Sequence, residues 1–283
     1  MAVKWTGKEV ALALKEASMQ TIQNLKENGV VPKLAVIRVG NQPEDLAYER
    51  GIMKRFESAG AAVEIFELPE DANTEQVIST VHGRNNDPQI HGILIFRPLP
   101  KHIDEAAVLQ EIDPKKDVDC VTESNLAKIF IGDESGFAPC TAEACIQLLD
   151  YYGYDCTGVD AVIIGRSTVI GKPVAMMLLK KHATVTILHT RTKMLYKKIA
   201  NARLVIAAAG HQNTVTKDCC SPDQVMLDVG INVDENGKLC GDIDYAAAEC
   251  IVKAITPVPG GVGSVTTAVL LSHVVRAAKE TLN

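Results

Sequence analysis

Apolar positions along the first half of the chain switch between two periods. Residues 10–28, "VALALKEASMQTIQNLKEN", repeat apolar side chains at helical spacing and stop at Gly29. Residues 33–40, "KLAVIRVG", form a continuous apolar run of the kind that makes a buried strand. "AYERGIMKRF" (47–56) returns to helical spacing, with Tyr48 and Ile52 one turn apart. "AAVEIFEL" (61–68) predicts a second strand, and "NTEQVISTVHGRNND" a helix that Asn73 can cap. "IHGILIF" (90–96) predicts a third strand. The order βαβαβ predicts a parallel sheet covered by helices on both faces.

"RPLPKHIDEAAVLQEIDPKKDVDC" is rich in proline and charge and reads as loop, short helix, loop. After Cys140 a helix, "TAEACIQLLDYYG", opens a second α/β series. Its strands are "DAVIIG", "ATVTILH", "ARLVIAAAG", "QVMLDVG" and "CIVKAITPV", followed by a glycine-rich loop and a final helix at 264–281. The expected architecture is α/β in two domains, each a mainly parallel sheet flanked by helices, the second Rossmann-like. The boundary falls near residue 140.

Composition narrows the function classes. The 283 residues have room for two cores, and apolar residues at 47% with charged residues at 23% fit a soluble globular chain. A net charge of −6 gives no general attraction to nucleic acid or to an anionic membrane. No apolar run approaches the roughly 18 residues of a membrane span, and Glu9 and Lys15 interrupt the start as a signal peptide. A cytoplasmic location is the expectation. The eight cysteines lack CxxC pairs and the seven histidines lack ligand spacing, so reduced thiols and no metal site are expected.

"DAVIIGRSTVIGKPVAMMLLKKHATVTILHTRTK" reads as strand, glycine turn, helix, strand. Gly165 ends the first strand where a Cβ would crowd a phosphate, and Gly171 opens a helix whose first turn can offer N–H groups to an anion. The spacing is not GxGxxG and serves an ordinary strand–helix turn equally well. The next strand ends "LHTRT" without the carboxylate that usually holds an NAD ribose. Arg166 and Arg191 stand there instead, and guanidinium suits a 2′-phosphate, favouring NADP over NAD.

"GRSTVIGKP", "MLDVGIN", "GDIDYAAA" and "ITPVPGGVG", with "PKLAVIRVG", "GILIFRPLP", "KKDVD" and "APCT", resemble in order and spacing the bifunctional methylenetetrahydrofolate dehydrogenase/cyclohydrolase (FolD) family. The resemblance spans nearly the whole chain. It implies a folate-binding catalytic domain (1–139), an NADP-binding Rossmann-like domain (140–263), a cleft between them, and a homodimer acting on tetrahydrofolate derivatives. It also implies that the last helix (264–283) packs back on the first domain. By position, the resemblance puts Gly165, Arg166, Ser167, Gly171, Thr190, Arg191, Gly210, Gly230 and Ile231 at the cofactor. It puts Tyr48 on the substrate's aminobenzoyl ring, Asp119 on the pterin, and Leu99, Pro259, Gly260 and Gly261 in the folate wall. Read without it, Tyr48 is a half-buried helix aromatic and Asp119 a loop cap.

Two departures bear on chemistry. The family carries Tyr-x-x-x-Lys on the Tyr48 helix and a glutamine before "LPLP"; here Ile52 and Phe96 stand in those places. Lys54 is no simple substitute, because position 52 lies about 40° from Tyr48 around a helix and position 54 about 120°. Cys120 for glycine, Ala142 for proline and Ser264-Val265 for Pro-Met are smaller changes. Hydride transfer from the methylene bridge abstracts no proton, whereas cyclohydrolysis adds water and breaks a C–N bond with proton transfers. The expected activity is NADP-dependent methylenetetrahydrofolate oxidation with the cyclohydrolase step weak or absent. The full bifunctional enzyme and a silent folate- or nucleotide-binding protein are the alternatives.

Overall fold

The computed structural model describes residues 1–282. Two compact units emerge, one of residues 12–128, 133–140 and 267–282, the other of residues 1–11, 129–132 and 141–266. The chain begins with a short strand β1 (Val3–Lys4) and helix α1 (Gly7–Glu27). In the first unit β2 (Lys33–Val39) is the centre of a three-stranded parallel sheet, with β3 (Ala62–Leu68) on one side and β4 (Gly92–Ile95) on the other. Val36 lies opposite both Ile65 and Leu94. Leu34, Ala35, Val36 and Ile37 are all fully buried, so both faces of β2 are covered and its apolar run needs no alternation.

Helices α2 (Pro43–Ala59), α3 (Thr74–Asn85), α4 (Glu105–Gln110) and α5 (Glu123–Ile131) complete the first half. Asn73 caps α3 in a full capping box, accepting from the Gln76 N–H while the Gln76 side chain accepts from the Asn73 N–H. α4 is the short helix expected within 97–120, and α5 follows that stretch, where the sequence pattern assigned no element. Val77 and Val81 of α3 and Val108 of α4 meet Ala35, Ile37 and Ile93 in one core. The last helix, α10 (Gly263–Glu280), contributes Val274 to this unit, where a Cβ on Gly92 would overlap it and Val118.

The second unit is built on a six-stranded sheet in the order β1-β11-β8-β7-β5-β6, every neighbouring pair parallel. After α6 (Cys140–Tyr151) come β5 (Asp160–Ile164), α7 (Gly171–Lys180), β6 (Thr184–Leu188), α8 (Leu195–Ala200), β7 (Leu204–Ala207) and β8 (Val225–Asp228). A two-stranded antiparallel ribbon, β9 (Asn232–Val233) with β10 (Leu239–Cys240), α9 (Tyr245–Glu249) and β11 (Ala254–Ile255) follow. The amino terminus differs from the expected contiguous 1–139 block: β1 pairs with β11, and Trp5 stacks on Tyr152 at 4.6 Å between ring centroids. Two residues of strand carry no periodic signal, so only the pairing places them. Among the described residues, no helix is long and apolar enough to cross a membrane.

Candidate functional site

The first unit gathers its candidate side chains around the start of α2. Pro43 at the head of this helix sets φ, and Arg38 of β2, only 5% exposed, fastens the segment. Its guanidinium donates to Glu49 at 2.8 Å, to Glu67 at 2.9 Å, and to the Gly40 carbonyl and the Asn41 side chain. Glu49 follows Tyr48 directly, so the buried ion pair fixes the turn that carries the tyrosine. Tyr48 is 39% exposed, whereas Ile52 and Phe56 on the same side of α2 are fully buried. Phe96, just past β4, is buried and its ring lies 5.6 Å from that of Tyr48, tilted by 40°.

Leu99 is buried, and its N–H donates to Glu105 at 2.9 Å, which holds the loop after Phe96. The carboxylates of "DVD" do different things. Asp117 is fully buried and accepts from the Val121 N–H, the Thr122 N–H and hydroxyl, and the Asn125 amide, all within 2.9 Å. It is a structural latch with its acceptor capacity used. Asp119 accepts one backbone N–H, from Cys140 at 3.0 Å. Burial raises its carboxyl above the usual range, with Asp117 adding to the effect while Cys140 and Arg97 oppose it. Burial also raises the Tyr48 phenol, and the charge of Asp119 acts in the same direction. Cys120, directly after Asp119, adopts φ 55°, the left-handed region that glycine occupies without strain.

In the second unit a cavity of about 720 Å³ opens where β5, β6 and β7 end. The chain steps from β5 outward to β6 and then to β7 on the other side, so this is the switch point where parallel sheets bind ligands. Gly165, Arg166, Ser167, Thr190 and Gly210 line it. His189, Thr192, Tyr196, His211, Asn213 and Thr214 also line it and were not picked out from sequence. They sit in loops that only the fold brings together. Arg191, Gly171, Gly230 and Ile231 are not among its lining residues. Arg191 is exposed and donates its backbone N–H to Nδ1 of His189 at 3.2 Å.

The glycines serve the fold in a way the sequence reading did not anticipate. Gly165 has φ 132°, and a Cβ there would overlap the Ala208 carbonyl of the adjacent strand end. A Cβ on Gly171 would overlap the Gly165 carbonyl. The first turn of α7 also offers fewer donors than expected. Lys172 and Val174 donate to Ser167 and Ile170, and Pro173 has no N–H.

Beside the cavity two buried carboxylates interlock. Asp228, at the end of β8, accepts from Gly230, Asp242 and Ile243 N–H groups at 2.9–3.0 Å. Burial pushes its carboxyl up to about 6; those N–H bonds oppose the rise and the neighbouring Asp242 charge adds to it. Pro259 and Gly260 of the "PVPGG" loop are exposed, and Gly261 is buried, its Cβ position filled by the Pro257 carbonyl.

A parallel sheet with a cavity at its switch point, lined by Arg166, His189 and hydroxyl side chains and joined in one chain to a second α/β unit, has the form of a nucleotide-binding fold. Residues 5–119 match the catalytic domain of tetrahydrofolate dehydrogenase/cyclohydrolase, and residues 139–282 match its NAD(P)-binding domain. The chain belongs to the tetrahydrofolate dehydrogenase/cyclohydrolase family. A protein named bifunctional protein FolD from Clostridium botulinum (strain Langeland / NCTC 10281 / Type F) is 48% identical over 273 residues, 96% of this chain and 97% of its own. The crystal structure of bifunctional FolD from Campylobacter jejuni superposes with a TM-score of 0.97 at 38% identity, covering 99% of this chain and 100% of that one. FolD from Trypanosoma brucei, solved with NADP cofactor and inhibitor, gives 0.94 at 31% identity over 100% and 99% of the two chains.

Proposed function

We propose that this chain oxidises 5,10-methylenetetrahydrofolate with NADP and that its cyclohydrolase step is weak or absent. The carrying observation is the pair of apolar side chains flanking Tyr48: Ile52 is fully buried one turn along α2, and the Phe96 ring packs on Tyr48. Water addition to the methenyl cation and the later C–N cleavage require a group that gives and takes protons. Ile52 has none, and Phe96 offers no hydrogen bond to an ammonium. Tyr48 keeps a face for the aminobenzoyl ring, Leu99 walls the pocket, and Asp119 is the carboxylate with acceptor capacity left for the pterin amine and ring N–H.

The donor set of the second cavity fits an anionic dinucleotide: Arg166, His189, Thr190 and Thr192 line it, and β6 ends without a carboxylate. Arg166, His189 and the two threonines would hold the phosphates, and the bound nicotinamide supplies the hydride acceptor. NADP is preferred to NAD because a guanidinium matches a 2′-phosphate and no acid is present to hold a free ribose hydroxyl. Tyr48, Leu99 and Asp119 orient the folate, and orientation provides most of the acceleration for hydride transfer. The family resemblance supports a homodimer.

The test is the decay of methenyltetrahydrofolate absorbance with and without enzyme, in a buffer that itself catalyses little. Positioned acid–base catalysis is worth about 10²–10⁴-fold, so its loss leaves decay near the buffer rate while NADP reduction persists. The second reading, a full bifunctional enzyme, is supported by the names of the relatives, and a clear enzyme-dependent acceleration would establish it.

A further inference from the structure

We infer that Asp242 is a positioning residue for the dinucleotide, holding the loop after β7 in its binding shape from behind. The inference rests on the cavity at the ends of β5, β6 and β7 being the dinucleotide site. Asp242 is fully buried and belongs to neither the glycine turn nor the lining of that cavity. One carboxylate oxygen accepts from the Ala209 N–H at 2.6 Å and the Gly210 N–H at 3.0 Å. The other accepts from the His211 N–H and the Asn232 amide, both at 2.9 Å. Ala209, Gly210 and His211 all line the cavity.

Three consecutive N–H groups thus converge on one anion supplied by the protein. A loop of consecutive converging donors is a shape that ligand anions also use, so here it is spent internally and the loop's outer side is left to the ligand. The carboxylate is itself fixed. The Asp242 N–H donates to Asp228 at 2.9 Å, and the Asn232 amide also donates to the Gly241 carbonyl at 3.1 Å. The same arrangement explains two neighbouring glycines. A Cβ on Gly230 would overlap the Asp242 carboxylate, and a Cβ on Gly241 would overlap that of Asp228. The ends of β7 and β8 are therefore held in one register by interlocked acids, with no side chain between them and the backbone.

An amide at position 242 cannot reproduce this. Its oxygen can face Ala209 and Gly210 or face His211 and Asn232, and its NH₂ then opposes two donors. Asp242→Asn is expected to raise the NADP dissociation constant by on the order of tenfold or more, as for lost hydrogen bonds to a charged acceptor. The KM for NADP rises with it, and the KM for methylenetetrahydrofolate does not. A merely structural role would lower the folded fraction and the melting temperature while leaving both affinities of the folded remainder unchanged.

The experiment is calorimetric titration of full-length wild type and Asp242→Asn with NADP, the folded fraction followed by circular dichroism. Wild type that binds NADP beside a folded variant that binds within twofold of it overturns the inference. Wild type that fails to bind NADP overturns the reading of the cavity and the inference with it. If the variant does not fold, amide exchange in wild type decides: the Ala209, Gly210 and His211 N–H groups are expected to be protected without ligand, and exchange at unprotected rates sinks the idea.

Discussion

Asp119→Asn is expected to separate activity from stability, and its neighbour two residues away is the control. Burial holds the Asp119 carboxyl above its ordinary range. A carboxyl with a raised folded-state pKa binds its proton more tightly in the folded chain. Its contribution to stability is therefore fully present below the unfolded value of about 3.9 and is lost as pH rises through the folded value. Burial makes the charged form of this carboxyl costly in the folded chain, a cost that the neutral amide lacks. The Cys140 N–H bond at 3.0 Å can be accepted by the amide oxygen, so that contact survives. The variant is expected to melt no lower than wild type at neutral pH, with the gap closing toward acid pH.

Activity moves the other way. A carboxylate accepting from the pterin amine and ring N–H makes hydrogen bonds to a charged group, each worth about 1.5–3 kcal/mol. Loss of one lowers kcat/KM for methylenetetrahydrofolate by about ten- to a hundredfold. NADP affinity stays as in wild type. Asp117→Asn is expected to do the opposite. Its oxygens accept four donors, and an amide in either orientation sets NH₂ against at least one of them. A buried donor left without its acceptor costs about 1–3 kcal/mol, which lowers the melting temperature by several degrees. Initial rates from nicotinamide absorbance and thermal unfolding across pH measure both variants. Unchanged kcat/KM in Asp119→Asn, or a fall in its stability at neutral pH matching that of Asp117→Asn, would refute the reasoning.

The remaining predictions concern the cofactor and the apolar pair. Arg166 lines the cavity and Arg191 does not, so Arg166→Ala is expected to weaken NADP binding by about 1.5–3 kcal/mol with little change in NAD binding; titrations with both dinucleotides check it, and equal weakening of the two would remove the 2′-phosphate assignment. Ile52→Lys alone is expected to lower stability without restoring cyclohydrolysis, because an ammonium at a fully buried position is costly to desolvate and the Phe96 side chain cannot be its partner. Ile52→Lys with Phe96→Gln gives it one, and enzyme-dependent decay of methenyltetrahydrofolate in the double variant alone is the expected result.

Elements with strong periodicity were legible from the residues. The buried run of β2, the Asn73 cap of α3, and the alternation of strand and helix on either side of Cys140 all appear where the pattern puts them. Features made by non-local pairing were not. β1 exists because Val3 and Lys4 find Ala254 and Ile255, and the ribbon of β9 and β10 is two residues wide on each side. The cavity's histidines and hydroxyls come from loops after three different strands, so no spacing in the sequence could group them. "DVD" shows two acids, and only the fold tells which one has spent its acceptors.

The departure at position 52 was visible as a residue but not as a physical state. On paper an isoleucine for a lysine could leave a hole, a loose pocket, or room for water. In the fold Ile52 lies on the buried stripe of α2 with Phe56 and Ala59, while one turn back Tyr48 carries the Phe96 ring on its flank. Tyr48 thus has the buried Ile52 one turn along its helix and the Phe96 ring against its own. With phenylalanine at 96 a lysine at 52 has no amide there to bond, and with isoleucine at 52 a glutamine at 96 has no ammonium to hold. Each single reversion leaves a polar group without its partner, at about 1–3 kcal/mol or more if buried. Restoring the water-adding step is therefore expected to need both changes in one chain, which is why the pair, rather than either residue, carries the functional reading.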